Sequence, residues 1–145
     1  MQHYISLGHD DAELAIQAIK AELLNRNAAA VISVADVHGE LIGLFRLDGA
    51  KPASILIAAN KAWTAARERK PSRELGQSAR DPEDGFDMAY FGDTRYTGWG
   101  GGLPVVVEGS VVGSIAVSGL TEKEDTEMAQ IGVAAILGTV KYFEK

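Results

Sequence analysis

The 145-residue chain contains no cysteine. That absence excludes a disulfide framework, a thiolate nucleophile, an iron–sulfur cluster and a cysteine zinc site. An excess of basic charge is missing as well: 14 Lys and Arg stand against 20 Asp and Glu, a net charge of −6 at pH 7. This balance offers no general electrostatic footprint for nucleic acid or an anionic membrane, so neither is expected as a partner. No apolar run approaches the ~20 residues needed to span a bilayer, and Met1 leads straight into polar and charged residues. A soluble cytoplasmic protein is expected. Internal repeats and low-complexity tracts are also absent, and the length suits one domain, 1–145, with a core that needs no staples.

What is present centres on the stretch from Pro52 to Arg69. Proline is tolerated in the first turn of a helix, and Ala, Leu and Ile then occupy most positions on every face instead of one stripe. The pattern predicts a helix buried nearly all round, with some of its neighbours supplied by another subunit. Ahead of it, Asp10 and Glu13 have the spacing of an N-terminal cap. Ala12, Ala15, Ile16, Ile19 and Leu23 recur at helical steps until Asn25 to Asn27. Residues 28–36 and 41–47 read as strands of a hairpin across Val37-His38-Gly39-Glu40.

Beyond the central helix, Ser72 and Glu74 predict a short helical turn through Leu75 and Gly76. Gln77 to Gly100 has no sustained period and predicts a long, mostly irregular excursion, of a length often used for lids, binding loops or subunit contacts. Its aromatic residues Phe86, Tyr90, Phe91, Tyr96 and Trp99 argue against plain disorder. A second hairpin joins Leu103–Val107 to Val111–Ser118 through Glu108-Gly109-Ser110. Thr121 opens a last helix, acidic in its first turns and offering Met128, Ala129, Ile131, Ala135, Ile136 and Val140 for burial. This order of helices and hairpins gives an α+β fold with helices on a central antiparallel sheet.

No stretch is a self-sufficient catalytic motif. His3, His9 and His38 are candidates for metal or haem ligation, but none has a partner at a diagnostic spacing. His38 reads as an exposed turn residue, and His9 adjoins the first helix cap. Lys61 lies inside the apolar helix, where an ammonium must be paired or lose its proton. It reads either as an anion anchor or lowered-pKa amine, or as a structural ion pair with Asp48 or Asp36, or as a snorkelling stem. Asp36 and Asp48 read as turn formers before they read as paired carboxylates. Ser118 and Thr64 have no base at a motif distance. Gly100-Gly101-Gly102 permits close backbone approach, yet it lacks a phosphate-loop ending and opens a strand where a dinucleotide fingerprint would open a helix. Arg95, Tyr96 and Trp99 beside it suit either a planar anionic ligand or an interface.

Five landmarks in order carry a family resemblance: Asp36-Val37-His38-Gly39, Arg46 to Ala50, Asn60 to Ala65, Gly101-Gly102-Leu103-Pro104 and Gly113 to Gly119. With them the chain resembles the GlcG/HbpS-type haem-binding family, also called the haem-degrading domain family. That family is related to the C-terminal domain of PduO-type corrinoid adenosyltransferases. The resemblance implies profilin-like α/β/α layers, an antiparallel sheet of about five strands, and a dimer or larger even-numbered homo-oligomer. It also implies haem binding by some relatives and a role in haem degradation; the first reading of this chain is a haem- or tetrapyrrole-binding protein without catalysis. On that reading Lys61, Arg46 and Arg95 pair with ligand carboxylates, Gly101 and Gly102 admit the ligand closely, and His9 or His3 supplies an axial nitrogen. The alternatives are an enzyme acting on a small organic acid or ketone at a subunit boundary, with Lys61 and Asp48 as its acid–base pair, and a structural accessory subunit.

Overall fold

The elements run α1 (His9–Asn25), β1 (Val31–Ala35), β2 (Leu41–Arg46), α2 (Ala53–Glu68), α3 (Ser72–Ala79), a 3-10 turn (Met88–Phe91), β3 (Gly102–Val107), β4 (Ser110–Ser118) and α4 (Glu122–Phe143). This computed structural model describes residues 1–143, and side chains through residue 139. Val140, expected on the buried face of the last helix, lies outside the described side chains. The strands form one antiparallel sheet in the order β2-β1-β4-β3. Both expected hairpins are present, giving four strands where the resemblance implies about five. Among the described residues no fifth strand forms, because the segment between α3 and β3 folds into turns.

Alternation along the strands sets the layers. Ile32, Val34, Val105, Ile115 and Val117 face α1 and α4, where they pack with Ala15, Ile19, Leu23, Met128 and Ile136. The other face is made of small residues. Pairing sets Ser33 beside Ala116 and Ala35 beside Ser114, with Gly102 beside Ala116 on the far strand. Such a surface lets a helix lie close, and α2 answers with Ala62 against Ala35 and Ala116. Two serine hydroxyls cross this interface: Ser33 Oγ donates to the Ala58 carbonyl at 2.7 Å, and Ser114 Oγ donates to that of Ala62.

This packing covers the C-terminal half of the central helix with the chain's own residues. Lys61 to Ala66 are buried all round, by the sheet on one side and by residues around Arg95 to Thr97 on the other. The N-terminal turns are less covered than expected, and Leu56 is 66% exposed. At the start of α1 the cap differs from the expected Asp10–Glu13 pairing: Asp11 Oδ2 accepts from the Gly8 N–H at 2.8 Å. Its end falls where expected. Asn27 adopts φ 52, and the N–H groups of Asn27 and Ala28 return to the carbonyls of Leu24 and Leu23, a Schellman closure. Thr121 caps α4 through its hydroxyl, which accepts from Glu124 N.

Candidate functional site

Lys61 occupies the middle of α2 and is 2% exposed. Burying an ammonium in such a place is costly unless its donors are occupied. Its Nζ donates to the Val117 carbonyl and to Asp125 Oδ2, each at 3.1 Å. Asp125 is equally buried and comes from the first turns of α4. Its other oxygen accepts from Leu120 N at 3.0 Å. Burial pushes the Asp125 carboxyl above its ordinary value, while Lys61 and the N–H groups of Leu120 and Gly119 oppose that rise. The pair therefore ties α2 to α4 at one end of the sheet. The partner is neither Asp48 nor Asp36.

Gly101 makes this possible. Its φ is +122°, and a Cβ there would stand 2.9 Å from Lys61 Nζ. A side chain on Gly102 would likewise press on the Lys61 carbonyl. The close approach permitted by the glycine tract is thus made by Lys61 itself. Ser72, another buried hydroxyl, accepts from Gly102 N at 3.0 Å and donates to the Trp99 carbonyl at 2.7 Å.

The remaining candidates lie in separate places. Asp36 is a turn former, accepting from His38 N and Glu40 N. Asp48 sits in an exposed turn and shares a cavity with Arg46, Lys20 and Phe45. Lys61 lines a different cavity, so the Lys61–Asp48 acid–base pair is not assembled. Arg95 stacks over Trp63 with its guanidinium 4.3 Å from the ring centre and pairs with Asp93 at 2.9 Å. His9 is on the surface, 3.2 Å from Asp10. His3 lines a cavity of ≈ 340 Å³ that also takes in Tyr4, His38 and Arg69. There the Tyr4 and His38 rings meet edge to face, 5.1 Å apart.

The irregular excursion is ordered by its own turns and by α2. Asp81, Asp87 and Asp93 each accept from backbone N–H groups two or three residues on. Thr64 fastens the Arg95 to Thr97 part: its hydroxyl accepts from Thr97 N at 2.9 Å and donates to the Arg95 carbonyl at 3.3 Å. Trp63, Tyr96, Phe91 and Phe86 then form a continuous aromatic run.

Three participants escape a reading by sequence alone. Asp125 looks like one of several acids favoured by a helix dipole. Arg69 looks like the end of a helix, and Tyr4 belongs to the lead before α1. Only the folded chain brings Tyr4 and Arg69 to His38, and no local spacing announces it.

Comparison with known proteins decides the family. Residues 7–134 match the model described as "Haem degrading protein HbpS-like". The chain belongs to the HbpS-like family. This HbpS-like chain is 32% identical to Protein GlcG of Escherichia coli K12 over 118 residues, 81% of this chain and 85% of GlcG. Among solved structures, Klebsiella pneumoniae protein ORFY aligns with a TM-score of 0.86 and 28% identity, covering 94% of each chain. The PduOC–haem complex aligns with a TM-score of 0.82 over 90% of this chain and 95% of that one. At 24% identity, that last likeness is one of fold.

Proposed function

We propose that the protein is a cytoplasmic, homo-oligomeric haem- or tetrapyrrole-binding protein that does not itself catalyse a reaction. Membership of a family described as haem-degrading and the haem carried by PduOC support the haem-binding part of this reading. The observation that carries it is the donor set of one cavity: His3, His38 and Tyr4 line the same space as Arg69. Imidazole and phenolate are both axial ligands of haem iron, and a guanidinium pairs well with a carboxylate. Val37, Ala66 and Val111 give the cavity apolar wall. The donor types there suit the group, whereas the Lys61 cavity is lined by no His, Tyr, Met or Cys side chain. His3 or His38 would hold the iron and Arg69 a propionate. His9, at the surface beside Asp10, is the weaker choice of axial residue. Iron chemistry would be the cofactor's own; the chain binds and orients it.

Oligomerisation belongs to the same reading. Tyr90 is 87% exposed, next to Phe91 and Phe86, which are also open to solvent, and such a patch suits a contact with a second copy. The test is a haem titration followed by absorbance, with light scattering on the same sample. Saturable binding with a shifted Soret band is expected from an oligomer of even number. His38→Ala or His3→Ala should weaken it at least about tenfold or move the band, as loss of an axial ligand requires, and His9→Ala should leave it unchanged. Identical spectra from the His3 and His38 variants would remove this cavity as the site.

A further inference from the structure

A second cavity, of ≈ 460 Å³, opens beside the Lys61–Asp125 pair and is lined by Lys51, Arg80, Ser54 and Ser118 as well. Its two carboxylates are committed. Asp125 accepts from Lys61 and Leu120 N, and Glu122 Oε1 accepts from Gly100 N at 2.6 Å. Its cations are not. Among the described residues, Lys51 and Arg80 form no ion pair, and the Lys61 ammonium has three N–H groups of which two are used. The space therefore keeps a surplus of positive charge. Ser54 is 5% exposed and Ser118 is 4% exposed. Among the described residues neither hydroxyl forms a hydrogen bond, and both line the open cavity, where water or a ligand can reach them. The walls are of another kind: Ile57, Leu120 and the indole of Trp99, which is 58% exposed.

We propose that this cavity binds a small organic carboxylate with an apolar body. The carboxylate accepts from the remaining Lys61 N–H and from the Ser54 and Ser118 hydroxyls, Lys51 and Arg80 balance its charge, and the apolar body lies against Ile57, Leu120 and Trp99. This site is separate from the histidine-lined cavity, since the two share no lining residue.

Calorimetric titration of the full chain with acetate, butyrate, hexanoate, hexanamide and inorganic phosphate tests it. Hexanoate should bind saturably, with affinity rising up to about fourfold per added methylene. Hexanamide should bind at least about tenfold more weakly, because the charge-assisted bonds are lost. Lys51→Ala and Arg80→Ala, both at exposed positions, should each weaken hexanoate about three- to tenfold with an unchanged thermal melt. No saturable heat with any carboxylate, an amide or phosphate that binds as well as hexanoate, or wild-type affinity in both variants would overturn the proposal. Haem titration in saturating hexanoate separates the two cavities: an unchanged curve is expected, and displacement would show that the carboxylate site is not a separate one.

Discussion

A buried ammonium and a buried carboxylate survive together because each occupies the other, and the pair at Lys61 and Asp125 makes that dependence measurable. Removing one partner strands the other. Asp125→Asn should destabilise the fold by about 3–5 kcal/mol, the usual cost of breaking a buried pair, as read by chemical denaturation. The double replacement Lys61→Met with Asp125→Leu should recover most of that loss, since apolar residues of similar size often replace a buried pair without penalty. A double variant as unstable as the single one would mean that the hydrogen bonds to Val117 and Leu120 matter more than the charges. Lys61 is legible from sequence as a charge in an apolar helix that needs a partner. Its partner is not, because 64 residues separate them and several nearer acids look equally suitable.

At the scale of elements, α3 and the excursion are joined by two glycines in contact. A Cβ on Gly76 would overlap the carbonyl of Gly98. Gly76→Ala should therefore lift the residues near Gly98 away from α3, at about 1–3 kcal/mol as for other overpacked sites. Limited proteolysis should then cut within residues 77–100 faster than in the wild type, and an unchanged pattern would show that the crossing relaxes without loosening the segment. The hairpins are readable because their turns are local: Glu108 takes φ 50 in the tight turn that sets Val107 opposite Ser110. The excursion is not readable in the same way. Its aromatic content signals order, but the fastening by Thr64 and the Gly76–Gly98 contact act between residues far apart in sequence. Helix α2 is legible as an element; that its neighbours are the chain's own small-residue sheet face depends on strand register.

For the molecule as a whole, acid stability follows from carboxylates that basic side chains and backbone N–H groups hold in the charged form. Arg95, then its own backbone N–H, holds Asp93 down to about 2. A lowered folded value contributes stability above the ordinary carboxylate range, and this is lost as pH falls through about 2. Asp125 is a different case: burial raises it while the paired Lys61 ammonium opposes the rise, so its contribution is read by substitution of the pair and not from the pH profile. Asp93→Asn should therefore melt below the wild type at pH 6, and the difference should close towards pH 2. A gap that persists at pH 2 would assign the loss to packing instead of charge. Layers, hairpins and family are legible across the whole sequence, whereas the candidate site residues, read as one group, are dispersed among several cavities. Charge and residue type were readable there; co-location was not.

The serine bonds from the sheet to α2 have a mechanical consequence. With Ser33 and Ser114 pegged to carbonyls one turn apart, the helix resists both sliding along the sheet and rolling about its axis. It is a fixed beam, and Thr64 uses it to fasten residues 95–97, so that segment takes its position from the helix and not from its own turns alone.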